Sequence, residues 1–267
     1  MANGKLTFIG LGLHDEEGIS LRGKKEIEKA DKIYAEFYTS KLYTFDEEKL
    51  KETFGKPVIV LNRQQTEENK ILMQQAKDHH VVFLTCGDPM VATTHVELRM
   101  QAIQNNIKTR IIHSASITSA APGILGLQNY KFGRTTTLAY PEGDYFPTSP
   151  YDLINNNKKM GLHTLILLDI QADRNRYMTA NEALKLLLLM EESRKEDLIT
   201  EETIVCVVAR AGSSDVIARA DTIKNLLKED FGPPLHTLVL PGNLNFMEIE
   251  ALEVCCNLPS NIAQQLK

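Results

Sequence analysis

Asp88, Asp169 and His236 are the side chains in this sequence best placed to do chemistry, each lying beside a short apolar run. Asp88 belongs to the turn Cys86-Gly87-Asp88-Pro89-Met90-Val91. Its carboxylate could meet a cation or hydroxyl groups, and Gly, Asp and Pro are equally ordinary turn formers. Asp169 is open to a structural ion pair, as is Arg210, and His236 reads more readily as a satisfied side chain beside a strand than as a catalyst. The run before Asp88, residues 81–85, is short, β-rich and uncharged, as expected of a strand buried on both faces. After it, Thr94 and Glu97 predict a capping box opening a helix whose apolar positions include Val96, Leu98, Ala102 and Ile103. The turn therefore falls where a parallel strand ends, the edge at which open α/β sheets bind ligands.

Similar small-residue junctions recur at 10–13, 114–117, 168–169, 209–212 and 235–236. Each lets backbone amides and carbonyls approach a flat ligand without large side chains between them, which suits a nucleoside more than a phosphate. The first invites a dinucleotide reading through Gly10 and Gly12, but Asp15 stands where the third glycine belongs and the helix begins only near Ser20. No phosphate-binding G-x-x-x-x-G-K-[ST] loop, no G-x-S-x-G elbow and no zinc-spaced histidine pair occurs. Cys86, Cys206, Cys255 and Cys256 lie in apolar contexts and read as buried thiols. A net charge of −5 argues against a nucleic-acid surface spread over the molecule. The 267 residues, 43% hydrophobic, suffice for one large or two modest cores. No apolar run approaches the roughly 18 residues of a membrane helix. Residues 1–5 lead directly into a strand rather than a signal sequence, so a cytosolic protein is expected.

These junctions need a framework. Strand-like runs at 6–9, 32–37, 57–61, 81–84 and 110–113 are separated by segments long enough for crossover helices, a βα repeat with a largely parallel sheet. One such segment carries its own capping box, Thr44 with Glu47, opening a helix over 45–54 that stops at Gly55. Between 113 and 133 the chain turns small and weakly polar, which places a domain boundary there, dividing residues 1–115 from 116–267. Beyond it, 134–140, 162–170, 203–209 and 236–240 read as strands, and Thr179 with Glu182 caps a mostly buried helix through 184–190. Residues 144–151, with two prolines and three aromatics, read as an ordered loop.

Taken in order, Ile9-Gly10-Leu11-Gly12-Leu13, Ala35-Glu36-Phe37-Tyr38-Thr39-Ser40, Gly87-Asp88-Pro89, Ala92-Thr93-Thr94-His95, Tyr130-Lys131-Phe132-Gly133, Gly161-Leu162-His163-Thr164, Leu168-Asp169-Ile170, Arg176-Tyr177-Met178 and Ala209-Arg210-Ala211-Gly212 resemble the diphthine synthases of the tetrapyrrole methylase superfamily. The resemblance implies a two-domain α/β fold, each domain a mixed, mostly parallel sheet flanked by helices, with a cofactor cleft between them. It implies S-adenosylmethionine as methyl donor, without a metal, and carries cofactor contacts to Leu13, Asp88, Val91, Ser116, Ile117, Leu168, Ala211 and His236. It further implies a cytoplasmic homodimer, acting on neither nucleic acid nor membrane. The acceptor would be the aminocarboxypropyl-modified histidine of elongation factor 2, methylated on its amino group to form diphthine. The short connection from Ile170 to Tyr177 is similar to that of archaeal members, which favours three methylations over a further ester methylation. Two rival readings remain on the same residues: a methylase of small tetrapyrrole or corrinoid precursors, and a non-enzymatic nucleoside-binding module.

Overall fold

The computed structural model describes residues 4–38, 40–42, 47–68, 70–143 and 146–267. By its internal contacts the chain divides into two compact units, residues 1–117 with 171–175, and residues 118–170 with 176–267.

The first unit alternates β1 (Lys5–Gly10), α1 (Leu21–Glu28), β2 (Lys32–Glu36), α2 (Glu47–Phe54), β3 (Val58–Leu61), α3 (Arg63–Glu68), α4 (Lys70–Ala76), β4 (His80–Thr85), α5 (His95–Gln104) and β5 (Lys108–Ile112), and α6 (Ile117–Leu125) leads out of it. The strands form one sheet in the order β3-β2-β4-β1-β5, with every pairing parallel, as the βα repeat predicts. Strict alternation along β1 and β4 splits their side chains between two cores. Ile9, Val82 and Leu84 pack with Ile27 of α1 on one face, while Phe8, Val81 and Phe83 pack with Leu98 and Ala102 of α5 on the other. Adjacent strands β1 and β4 are thus followed by helices on opposite faces, the arrangement that opens a crevice at the strand ends.

Local signals were kept where the backbone allowed them. Ser20 caps α1 by accepting the Gly23 amide, and Gly55, at φ +63°, follows the last residue of α2. The predicted Thr44 cap lies outside the described residues. The predicted Thr94 cap is corrected: Thr94 sits at φ −94°, ψ 9° and its hydroxyl makes no capping bond. An N-cap needs extended backbone to aim its oxygen at the next turn. The small segment after 113, where a domain boundary is expected, contains α6, which holds Pro122 within it.

The second unit contains β6 (Thr136–Leu138), α7 (Ser149–Lys159), β7 (Thr164–Leu168), the first residue of β8 (Ile170–Gln171), β9 (Arg176–Tyr177), α8 (Ala180–Arg194), β10 (Ile204–Ala209), β11 (Ile217–Thr222), α9 (Ile223–Leu226), β12 (His236–Leu240), α10 (Phe246–Cys256) and α11 (Ser260–Leu266). Its five-stranded sheet runs β11-β10-β12-β7-β6. Here the expectation of a mostly parallel sheet is overturned: only β6 and β7 are parallel, and the other three pairings are antiparallel. β11, absent from the sequence reading, is an edge strand with only Ala220 and Thr222 buried, so it lacks the apolar run that marks the others. Ser149-Pro150-Tyr151, expected in a loop, forms the first turn of α7, where a proline costs no hydrogen bond; Asp144 and Tyr145 lie outside the described residues. The Thr179–Glu182 capping box is present in full, and six apolar residues of α8 are buried while Leu189 is half exposed. Cys86, Cys206 and Cys256 are buried thiols, and Cys255 is exposed, contrary to expectation. None of the described helices is long and apolar enough to cross a membrane.

One buried carboxylate ties this unit together. Glu248 closes a second capping box with Asn245 at the start of α10, accepts the Gln128 amide at 3.0 Å, and pairs with the Lys131 ammonium. It also receives the Nε2 proton of His163 at 2.9 Å, whose Nδ1 in turn accepts the Gly242 amide at 2.9 Å. These donors outweigh desolvation and hold the Glu248 carboxyl down to about 2. Because the folded value lies below the ordinary one, the stabilisation is complete above the usual carboxylate range and is lost as pH falls toward 2. We expect Glu248→Gln to lower stability at neutral pH by about 3 kcal/mol, since Lys131 loses its buried counter-charge. In denaturant melts the gap between the two proteins should narrow as pH falls from the usual carboxylate range and close near pH 2; a gap independent of pH would contradict this assignment.

Candidate functional site

The crevice edge of the first sheet is built from backbone in contact with backbone. Just beyond β1 and β4, Gly12 and Gly87 form an isolated antiparallel bridge, Gly87 donating to the Gly12 carbonyl at 2.6 Å and Gly12 donating back at 3.3 Å. A Cβ on Gly10 would lie 2.3 Å from the Gly87 oxygen and 2.8 Å from the Ser114 Cβ, so no larger residue fits there. Gly87 itself takes φ +64°, and the space beside it is open until the Ala115 carbonyl at 4.0 Å. Small residues at this point leave main chain uncovered by bulky side chains, as the approach of a flat ligand requires.

Asp88, 6% exposed, fastens that stretch. Its Oδ1 accepts the Met90 amide at 2.9 Å, and its Oδ2 accepts the Ser114 amide at 3.2 Å and lies 2.7 Å from His113 Nδ1. Val91 donates its amide to the Asp88 carbonyl at 3.3 Å. The turn after β4 is thereby tied to the segment after β5, which runs on through Ser116 to Ile117. Leu13 follows Gly12 directly. Five of the residues singled out in the sequence, Leu13, Asp88, Val91, Ser116 and Ile117, are thus gathered on the loops at one sheet edge. The dinucleotide alternative fails in the structure as it does in the sequence. Asp15 caps a single 3-10 turn through the Glu17 amide, and α1 starts only at Leu21, well beyond the strand end.

The other three lie in the second unit. The register sets Ala209 opposite His236, and Leu168 ends β7 one residue past the Thr237–Leu167 pair, so Ala209, His236 and Leu168 form a row across one end of the sheet. Ala211 follows in the turn after β10. That turn is held by Arg210, buried and at φ +53°, whose ion pair is with Asp215 at 2.7 Å and not with Asp169. Its Nη1 donates to the Phe231 and Pro233 carbonyls at 2.6 and 3.1 Å, and its amide to the Leu235 carbonyl at 2.8 Å. Arg210 therefore fixes the loop leading into His236, a role with no local signal in the sequence because the carbonyls it reaches there lie more than twenty residues away.

His236 is a satisfied side chain. The Ala180 amide donates to Nδ1 at 3.0 Å, which places the ring proton on Nε2, and Nε2 donates to the Pro233 carbonyl at 3.0 Å. Burial holds its pKa below the ordinary histidine value, so the ring is neutral with both nitrogens committed. Asp169 accepts the Tyr140 amide at 3.0 Å. All three side chains that could act as a proton acceptor are therefore engaged by the fold. Tyr140 anchors a further constellation unforeseen in the sequence. The Arg176 guanidinium stacks 3.4 Å above its ring, and its hydroxyl donates to Glu182 at 3.2 Å. Burial and the Glu182 carboxylate push Tyr140 up to about 12.

The chain is similar over most of its length to proteins of one kind. The family profile of the tetrapyrrole (corrin/porphyrin) methylases matches residues 5–227. A diphthine synthase of Methanococcus maripaludis is 52% identical over 249 residues, covering 93% of this chain and 97% of that one. A diphthine synthase of Methanothermobacter thermautotrophicus is 48% identical over 261 residues, covering 98% and 99%. Among solved structures, a crystal structure of a diphthine synthase superposes with a TM-score of 0.89 at 38% identity, covering 97% of this chain and 98% of that one. With a family profile over most of its residues and near-half identity over almost its whole length, the chain belongs to the diphthine synthase family of the tetrapyrrole methylases.

Proposed function

We propose that this protein transfers methyl groups from S-adenosylmethionine to the amino nitrogen of the aminocarboxypropyl-modified histidine of elongation factor 2, forming diphthine in the cytoplasm. The observation that carries the reading is the near-complete match to diphthine synthases in a chain whose first sheet ends in an open, glycine-lined crevice edge. The residues fit the donor: the space beside Gly87 admits a flat group against main chain, and the surrounding junctions carry no phosphate-binding loop. Leu13, Asp88, Val91, Ser116 and Ile117 in the first unit, with Leu168, Ala211 and His236 in the second, are the proposed contacts.

When bound, S-adenosylmethionine supplies a methyl carbon made electrophilic by the adjacent sulfonium. The chain's own task is to fix position and exclude water, and alignment of this kind is worth several kcal/mol. An amine must be neutral to attack, and Asp88, Asp169 and His236 are all hydrogen-bonded within the fold. With both of its ring nitrogens committed, His236 is not free to take the proton released by the amine, which passes to a carboxylate or to solvent. The connection from Ile170 to Tyr177 is a tight hairpin, β8 and β9 joined by a 3-10 turn with Asn175 at φ +48°, and its shortness, similar to that of archaeal members, favours three methylations. Support for a homodimer comes from the apolar stripe Val96, Met100 and Ile103, 52–53% exposed along α5.

The deciding assay incubates the protein with methyl-labelled S-adenosylmethionine and elongation factor 2 bearing the unmethylated intermediate, and weighs the factor by mass spectrometry. A gain of three methyl groups is expected. Label on a corrinoid precursor instead, or cofactor binding with no methylated product, would favour one of the two rival readings. Asp88→Ala should weaken S-adenosylmethionine binding roughly ten-fold or more, because three donors lose their acceptor, while kcat at saturation changes less; near-normal affinity would remove Asp88 from the site. His236→Phe should cost about 1–3 kcal/mol of stability by stranding the Ala180 amide, with the pH profile of kcat unaltered in shape. Loss of a limb of that profile would make His236 the base after all.

A further inference from the structure

Behind the Gly87–Pro89 turn lies a buried histidine that the reading above leaves without a role. Phe83 and Thr85 share a face of β4, and the parallel register pairs Thr85 with Glu36 of β2 on that same face. His95, the first residue of α5, packs edge-on against Phe83 with ring centroids 5.2 Å apart and is 1% exposed. Its Nδ1 lies 3.1 Å from the Pro89 carbonyl oxygen. A carbonyl only accepts, so the ring proton is on Nδ1 and donates. Among the described residues Nε2 has no hydrogen-bond partner; it sits 3.6 Å from Glu36 Oε1, and burial lowers the ring's pKa.

A second donor converges on the same carbonyl. Thr93 Oγ1 donates to Pro89 O at 3.0 Å, and the His95 amide reaches back toward Thr93 Oγ1 at 3.5 Å. Ala92, at φ +55°, supplies the reversal that brings both side chains onto one oxygen. Thus the segment Ala92-Thr93-Thr94-His95 clamps the far side of the turn whose near side is fastened by Asp88. Asp88 reaches forward to the end of β5, and His95 anchors the turn down onto the sheet.

We propose that His95 is a positioning residue for the methyl-donor site: its Nδ1–H, by holding the Pro89 carbonyl, fixes the turn that presents Asp88 and Val91. The inference rests on the reading that this turn contacts S-adenosylmethionine. It concerns a directed hydrogen bond rather than bulk, and two variants separate the two. Asn places its amide nitrogen near the position of Nδ1 and keeps the donor; Gln is closer to histidine in volume but carries its amide further out, near Nε2.

Calorimetric titration with S-adenosylmethionine is expected to rank wild type, then H95N, then H95Q, the last two differing about five-fold or more, as one hydrogen bond would give. At saturating cofactor the two variants should turn over elongation factor 2 at similar rates, placing the effect in KM and not in kcat. Equal binding by both, or tighter binding by H95Q, would overturn the proposal, because packing alone predicts that order. Long-range proton–nitrogen NMR on the wild-type protein, with the His95 ring assigned by through-bond correlation to its own backbone, gives a test independent of how well either variant folds. A protonated Nδ1 is expected, and a bare Nδ1 would overturn the proposal outright. Failure of the wild-type protein to bind S-adenosylmethionine at all would instead defeat the reading on which the proposal rests.

Discussion

The approach of β1 to β4 beyond their last paired residues, main chain against main chain, sets the geometry of the first unit. Gly10 has no room for a side chain, and Gly12 and Gly87 close the gap with reciprocal hydrogen bonds. Strands in register along their whole length would ordinarily splay at their ends, where side chains and loops compete for space. Here three glycines prevent it, two of them in backbone conformations with positive φ that other residues adopt only with strain. Because the strands stay together, the turn after β4 comes within reach of the segment after β5, and one carboxylate, Asp88, can bond to both. The open space beside Gly87 is what this arrangement leaves over.

Polar side chains around both sets of predicted contacts act as fasteners. Asp88 and His95 fix one turn from opposite sides, Arg210 holds the loop from Phe231 to Leu235, and His236 links the start of β12 to the first turn of α8. The pattern agrees with the chemistry proposed for this protein. Methyl transfer from a sulfonium to an amine asks for alignment and dryness more than for acid or base, so rigid loops serve it better than a titrating side chain. A base poised near neutral pH would need an unengaged lone pair, and neither nitrogen of His236 offers one.

Several features could be read directly from local sequence. The parallel first sheet follows from uncharged runs separated by crossover-length segments, and β12 begins and ends at the residues where its apolar run does. The Thr179–Glu182 capping box, the helix start near Ser20 and the stop at Gly55 each depend on neighbours within a few positions. The misreadings have a common cause. Thr94 and Glu97 have the right spacing for a capping box, but the backbone at Thr94 was claimed by the clamp on Pro89. The run in β10 signals a strand without saying which way its neighbours travel, and the antiparallel pairing of the second sheet is set by connections the run does not contain.

The sequence by itself determined the family, the methyltransferase chemistry and the junctions proposed to bear on it, because glycine-bearing turns beside apolar runs are local features and their order along the chain is specific. Tertiary structure alone decided what the polar residues at those junctions do. Whether Asp88, Asp169, Arg210 or His236 is a catalyst, a contact or a strut depends on which distant donor or acceptor reaches it. Ala180 lies 56 positions from His236 and Ser114 lies 26 from Asp88. Hydrogen bonds are short and directional, so the partner that fixes a side chain's role is settled only once the fold has brought the two together.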